Sequence, residues 1–232
     1  MGCAGLGVRG LIIESLMVRD GFFYALGLGV VAAALWYLNM PIALVALPLV
    51  LAAFFLWFFR DPNRTIPQVP GQIVSPGDGV VTEAEWIETV SGSRLRLSIF
   101  LNVFDVHVNR SPVGGVVKVC EFRKGEFMNA MKPESVLNNE QTLITIDAGG
   151  YEVSFKQIAG LLARRIVCNL KVGDRVERGQ RIGLIKFGSR VDVLMPAAAN
   201  LKVKTGARVK GGSTVLAVLP DQALEDSTAA VA

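Results

Sequence analysis

Two stretches near the C-terminus decide the fold: GDRVERGQRIGLI (residues 173–185) and GARVKGGSTVLAV (residues 206–218). They superpose without a gap at a spacing of 33 residues, and glycine or an aliphatic β-branched residue recurs at five matching positions. Glycines at paired turns, with β-branched residues between them, are typical of a β-hairpin flanked by strands. The repeat therefore predicts β structure in this part of the chain.

Upstream of the repeat, several runs are β-branched or alternate between apolar and polar residues, and glycines separate them. They predict strands at 94–100, 115–120, 142–146 and 151–155. Residues 121–139 predict the end of a strand followed by a loop or a short helical turn. The repeat resembles the barrel-sandwich architecture of biotinyl and lipoyl carrier domains. We therefore expect a mainly β, barrel-sandwich (biotinyl/lipoyl-like) domain.

The N-terminal part is apolar, and residues 21–59 contain no charged side chain. One straight helix of this length would extend about 58 Å, nearly twice the hydrocarbon core of a bilayer. Asn39-Met40-Pro41 offers a break, so we expect a membrane-associated helical hairpin with arms at 21–38 and 41–59. The sequence leaves open whether it spans the bilayer or inserts into one leaflet. Basic residues lie only outside the hairpin, which predicts a cell-membrane protein with its downstream domain on the cytoplasmic face.

Three segments follow from this division: an N-terminal tail (1–20), the apolar hairpin (21–59) and a β domain (60–232). The net charge of +4 suits an anionic membrane face and argues against a nucleic-acid partner. Cys3, Cys120 and Cys168 form no CxxC pair, so we expect no metal site. His107 is the only histidine in the chain, which limits the acid–base chemistry available near neutral pH.

Gly211-Gly212-Ser213-Thr214 precedes the last apolar strand. The simple interpretation is a turn. The functional interpretation is that the Ser213 hydroxyl attacks the carbonyl of Gly212, because glycine permits the strained backbone that this attack needs. Elimination of the resulting ester and hydrolysis would leave a pyruvoyl group. Its ketone can form a Schiff base with an amine and withdraw electrons as a built-in cofactor.

Five motifs in order carry a resemblance to a known family: FRDP (59–62), SPGDG (75–79), DVHVNR (105–110), FGSRVD (187–192) and GGST (211–214). With these motifs behind an apolar N-terminal segment, the chain resembles the short bacterial type of phosphatidylserine decarboxylase proenzyme, within the pyruvoyl-dependent decarboxylases. The resemblance implies cleavage between Gly212 and Ser213 into a β chain (1–212) and an α chain (213–232). It also implies that Ser213 becomes the covalent pyruvoyl cofactor.

The resemblance further implies that Asp78, Asp105 and His107 are catalytic, and that the substrate is phosphatidylserine in an anionic membrane. Two positions depart from the long-form pattern. Arg110 stands where long-form members carry the histidine of a proposed Asp–His–Ser triad, and Gly211 replaces a leucine. Either His107 serves both steps, or Asp78 and Asp105 act together in self-cleavage and His107 serves decarboxylation. We prefer the second, because two neighbouring carboxylates raise the pKa of one of them.

Other functions stay open at this level. An ether-lipid (archaetidylserine) decarboxylase would act on an identical headgroup. A non-enzymatic membrane adaptor could carry a biotinyl/lipoyl-like domain, although such adaptors usually have coiled-coil heptads that this chain lacks. Residues 124–132, with three apolar side chains beside two lysines, form either a lip that admits the headgroup or ordinary core with solvated lysines: Phe127, Met128, Met131, Lys124 and Lys132. The sequence leaves a homo-oligomer open.

Overall fold

A computed structural model describes residues 18–89, 92–132, 134–161, 165–186 and 188–220. The chain forms two compact units, Met1–Asn63 and Arg64–Ala232. Most of the expected N-terminal tail lies outside the described residues, as do Cys3, Phe187 and residues 221–232 of the expected α chain.

The first unit is a helical hairpin, as the sequence predicts. Helix α1 (Arg19–Tyr37) and helix α2 (Ile42–Phe58) pack together, and the rings of Tyr24 and Phe55 stack with centroids 5.0 Å apart. The chain reverses at Asn39, whose φ of 56° lies in the left-handed region that few non-glycine residues adopt. Among the described helices, α1 is long and apolar enough to cross a membrane, whereas α2 is apolar but has 17 residues.

The second unit is mainly β, and this prediction is confirmed. Its described residues form one short helix, α3 (Ser135–Asn138), and these strands: β1 (Gln72–Val74), β2 (Gly79–Thr89), β3 (Gly92–Leu101), β4 (Val108–Arg110), β5 (Gly115–Arg123), β6 (Gln141–Asp147), β7 (Glu152–Ala159), β8 (Ile166–Cys168), β9 (Arg175–Val176), β10 (Arg181–Ile185), β11 (Ser189–Pro196), β12 (Asn200–Leu201), β13 (Arg208–Val209) and β14 (Val215–Val218). The four strands predicted upstream of the repeat correspond to β3, β5, β6 and β7.

Three sheets form a sandwich around one core. The large sheet has the order β13-β2-β3-β11-β7-β6-β5-β9, and two small sheets have the orders β1-β14-β12 and β4-β10-β8. Alternate residues of the large sheet, such as Leu97, Ile99 and Phe155, share one buried cluster with Leu216 and Ile182 of the small sheets. Burial of this apolar surface is the main force that holds the three sheets together.

The C-terminal repeat is real, but its interpretation as a hairpin is wrong. In the first copy β9 pairs with β5, while β10 pairs with β4 and β8. In the second copy β13 pairs with β2, while β14 pairs with β1 and β12. Each copy therefore passes from the large sheet to a small one instead of folding back on itself. Gly179 and Gly212 occupy the turns between these strands with φ of 75° and 77°.

A second repeat lies upstream of the C-terminal one and was not predicted from the sequence. Residues 75–81 (SPGDGVV) match residues 111–117 (SPVGGVV) at a spacing of 36 residues. The backbone contacts repeat with them, because Gly212 N donates to Ser75 O at 2.8 Å and Gly179 N donates to Ser111 O at 2.8 Å. We call residues 75–81 and 111–117 the SP segments. The second unit is therefore built from two similar halves, each combining one SP segment with one copy of the C-terminal repeat.

Strand β14 should contribute much of the stability of its small sheet, because it is the central strand and Leu216 is fully buried. We expect Leu216→Ala to lower the free energy of unfolding by about 2–5 kcal/mol. The matched control is Leu137→Ala, whose side chain is exposed and should change stability by less than about 0.5 kcal/mol. Both variants are made in a Ser213→Ala background, which removes the predicted cleavage and keeps the chain in one piece, so that unfolding can be treated as an equilibrium. Urea unfolding in detergent, followed by circular dichroism, measures both. Equal effects would contradict the assignment of Leu216 to the core.

Candidate active site

The turn that carries the predicted cleavage position is held tightly on both sides. Gly212 is buried with a φ of 77°, and its N–H donates to Ser75 O at 2.8 Å. A Cβ at this position would lie 2.9 Å from Cδ of Arg110 and 3.0 Å from Cδ1 of Ile66. The next residue, Ser213, is half-buried. The backbone before Ser213 is thus in a conformation and a space that suit glycine alone.

Asp78 reaches this turn from the segment between β1 and β2. Its Oδ1 accepts a hydrogen bond from Gly211 N at 2.8 Å, and Nη2 of Arg64 donates to Oδ1 and Oδ2 at 3.0 and 2.8 Å. Burial raises the pKa of Asp78, and the Gly211 N–H and the Arg64 guanidinium oppose this rise. A half-buried carboxylate with a raised pKa therefore contacts the residue two positions before Ser213.

Asp105 lies close enough to Asp78 for its negative charge to raise the pKa of Asp78, although Asp105 has hydrogen-bond partners of its own. Its Oδ1 pairs with Nη1 of Arg208 at 2.9 Å, and its Oδ2 accepts from Asn102 N at 2.9 Å. The charge of Asp105 adds to the rise in the pKa of Asp78, but burial is the larger cause. Mutual repulsion between the two carboxylates is thus present and secondary.

His107 is buried, and backbone groups engage both of its ring nitrogens. Nδ1 lies 2.9 Å from Asp105 O, and Gly188 N donates to Nε2 at 3.1 Å. Because Nε2 accepts this hydrogen bond, the proton of a neutral ring lies on Nδ1 and points to the Asp105 carbonyl. His107 thereby joins the DVHVNR segment to the GSRVD segment.

Arg110 occupies the position of the missing triad histidine and cannot replace it as a base, because a guanidinium stays protonated. Its Nη1 donates to Gly179 O at 3.1 Å, so it supports the turn of the other C-terminal repeat. Arg64 was not predicted as a site residue, because nothing in its local sequence indicates the contact with Asp78, 14 positions further along the chain.

Two further segments were singled out in the sequence, the FGSRVD motif and the expected lip at 124–132. In the GSRVD segment, Arg190 Nε binds Asp192 Oδ1 at 2.6 Å, and Arg190 Nη2 binds Glu83 and Ser98 at 2.7 Å, so these charges tie β11 to β2 and β3. In the expected lip, Phe127 packs against the core, whereas Met131 is exposed. The lip interpretation therefore applies to part of that stretch at most.

The two halves of the β unit differ at the site. The counterparts of Asp78 and Ser213 in the other half, at the repeat spacings of 36 and 33 residues, are Gly114 and Gln180. One half therefore combines a carboxylate with a hydroxyl at the turn, and the other half has neither. The backbone framework is common to both halves, so these side chains make the turn at 211–214 the candidate site.

Comparison with known proteins agrees with this arrangement. The family model described as phosphatidylserine decarboxylase matches residues 51–217. A protein of Solibacter usitatus is 48% identical over 202 residues, covering 87% of this chain and 96% of the relative. Relatives from Symbiobacterium thermophilum and Cupriavidus pinatubonensis are 46% and 40% identical, covering 88% and 89% of this chain and 96% of each relative. All three are named phosphatidylserine decarboxylase proenzyme.

These matches define the class of the protein as an enzyme, a carbon–carbon lyase that removes carboxyl groups, and they decide against the non-enzymatic adaptor. The matched range includes the turn at 211–214, where cleavage is predicted, and Asp78, Asp105 and His107. The chain belongs to the phosphatidylserine decarboxylase family.

The tight space around Gly212, bounded by Cδ of Arg110 and Cδ1 of Ile66, is here called the cradle. It can be tested with two alanine variants. Gly206 occupies a turn of the same repeat with a φ of 87°, but a Cβ there would meet nothing within 4 Å. Both Gly206→Ala and Gly212→Ala should lose about 1–2 kcal/mol through left-handed backbone strain. Gly212→Ala should lose more, because its Cβ would also press on Arg110 and Ile66. Both variants are made in a Ser213→Ala background, so that neither chain is cleaved and the two differ only in the position of the added Cβ. The measurement is the thermal midpoint of each variant, and equal shifts would contradict the cradle.

Proposed function

We propose that this chain is a self-processing pyruvoyl enzyme that converts phosphatidylserine to phosphatidylethanolamine and CO2. The single observation that carries the proposal is the hydrogen bond from Gly211 N to the half-buried Asp78 carboxylate, at 2.8 Å. It joins a group able to accept a proton to a glycine turn that ends in a nucleophile. The relatives named for phosphatidylserine support the choice of substrate over its ether-lipid counterpart.

Self-cleavage would begin at Ser213. Asp78, assisted by the nearby Asp105, takes the hydroxyl proton, and Oγ attacks the carbonyl carbon of Gly212. The bond from this carbon to the Ser213 nitrogen breaks, and the nitrogen takes up a proton, which leaves an ester. Loss of the Cα proton of Ser213 then expels the Gly212 carboxylate. Hydrolysis consumes one water and releases one ammonia, which leaves the pyruvoyl group at the start of the α chain.

The residues at the turn fit such a group. The cradle around Gly212 has no room for a Cβ, and Ser213 lies two residues before β14, the strand that would follow the group. A pyruvoyl ketone supplies an electron sink for an amino acid headgroup from which the carboxylate departs. His107 would hold the proton that returns to the α carbon of the substrate. Because Gly188 N–H occupies Nε2, this role requires the Gly188 segment to move.

The apolar hairpin suits a substrate that stays in the bilayer. The charge-free arms, with basic residues only outside them, support attachment to the cell membrane with the β unit on the cytoplasmic face. A net charge of +4 favours the anionic surface on which phosphatidylserine is found.

The source of the cofactor is tested by Ser213→Ala, which removes the attacking oxygen. We expect this variant to stay a single 24.9 kDa chain, whereas the native protein separates into a large chain and a fragment of 20 residues. The control Thr205→Ala removes an exposed hydroxyl beside another turn and should cleave normally. Intact mass and the reactivity of the fragment with a carbonyl reagent give the answer. A native protein that stays whole would refute the proposal.

The separate role of His107 is tested by His107→Ala. If Asp78 and Asp105 drive self-cleavage, this variant should still cleave, while its turnover of phosphatidylserine in mixed micelles falls by about 100-fold or more. Cleavage itself reports that the turn has folded. A variant that stays uncleaved but has the native thermal midpoint would move His107 into the processing step.

A further inference from the structure

Residues 64–69, which we call the linker segment, cross both turns of the C-terminal repeat. The side chain of Ile66 lies against the positions that a Cβ on Gly179 or on Gly212 would occupy. At the far end of the segment, Nη1 of Arg178 donates to Pro67 O at 2.9 Å and to Val69 O at 2.8 Å. The linker segment is therefore fixed to the β unit at several points, and its backbone places Arg64 beside the cleavage turn.

The side chains of Arg64 and Asp78 form a pair that is mostly shielded from water, with exposed fractions of 10% and 13%. One guanidinium nitrogen, Nη2, contacts both carboxylate oxygens, at 3.0 and 2.8 Å. Oδ1 also accepts from Gly211 N. The carboxylate is therefore held from two sides, by a charge on the linker segment and by the backbone of the cleavage turn.

From these contacts we propose that Arg64 is a positioning residue for self-cleavage, which fixes the Asp78 carboxylate against the turn and keeps it ionised for its role as base. The inference rests on the proposed self-processing function and adds a requirement to it. Without Arg64, Asp78 would stay half-buried beside Asp105, and no other cation in the described part of the chain contacts it directly. Its proton affinity would rise, and a smaller share of the protein would carry the base in its active form.

The charges that act on Asp78 come from two elements. Arg64, on the linker segment, lowers the pKa of Asp78, and Asp105, after β3, raises it. Asp105 itself pairs with Arg208, whose side chain is largely exposed, so solvent and salt screen that cation more than Arg64. Arg64 is thus the cation that should dominate the ionisation of the base.

The test is the pH dependence of the self-cleavage rate. The full-length precursor is made by a short cell-free translation pulse in detergent micelles, transferred to buffers between about pH 5 and pH 9, and followed by gel electrophoresis. For Arg64→Gln we expect the pH of half-maximal cleavage rate to rise by about one unit or more. At pH values below the midpoint the variant should therefore cleave about tenfold more slowly than the native protein. At high pH its rate should recover to the native rate. Arg64→Lys, which keeps the charge, should have a midpoint close to the native one.

Arg178→Gln is the matched control, because it loosens the linker segment without removing a contact to Asp78. It should keep the native pH midpoint even if its rate falls. An Arg64→Gln variant that is uniformly slower, with the native midpoint, would overturn the proposal and leave Arg64 a structural role only. If Arg64→Gln fails to fold, Arg64→Met, which is also neutral, takes its place with the same two outcomes.

The same assay separates this inference from the proposed function. Cleavage of Asp78→Asn at the native rate would remove Asp78 as the base and with it the role of Arg64, while leaving Ser213 as the cofactor source. A native chain that never cleaves refutes the function itself. A native chain that cleaves, an Asp78→Asn variant that does not, and a shifted Arg64→Gln profile together support both.

Discussion

The site depends on one hydrogen bond, from Gly211 N to the carboxylate of Asp78, between residues 133 positions apart in the chain. A carboxylate in this shielded position is costly unless charged or polar partners compensate for the lost water. Arg64 and the Gly211 N–H provide that compensation from opposite sides. Because both partners come from other parts of the sequence, the carboxylate has its setting only when the SP segment, the linker segment and the C-terminal repeat have come together.

The two-fold repetition of the β unit separates framework from chemistry. Both halves contain an SP segment, a glycine turn at positive φ and matching backbone hydrogen bonds. The half with Gly114 and Gln180 keeps the framework alone. Two side-chain differences therefore distinguish a turn that serves packing from one that is suited to a reaction, which illustrates why a fold by itself does not define a function.

Local patterns predicted much of this architecture. The helical hairpin was predictable from 39 residues without charge, interrupted by Asn39 and Pro41. Strands β3, β5, β6 and β7 were predictable from β-branched or alternating runs. The partners of β9 and β10 were not predictable, since strand pairing is decided by packing far along the sequence. Asp78 and His107 were identified through family motifs. The contact from Arg64 and the engagement of His107 by Gly188 are long-range and have no local signal.

Strand β14 lies between β1 and β12, with Leu216, Ala217 and Leu219 almost fully enclosed. If the chain is cleaved after residue 212 as we propose, the α chain would remain attached to this sheet through non-covalent contacts, among them the hydrogen bonds of β14 and the burial of its apolar side chains. Once the mature heterodimer is denatured, recovery would require two separate polypeptides to meet again, and the original linkage could not guide them. Its durability would then be governed by the rate of unfolding rather than by a reversible equilibrium.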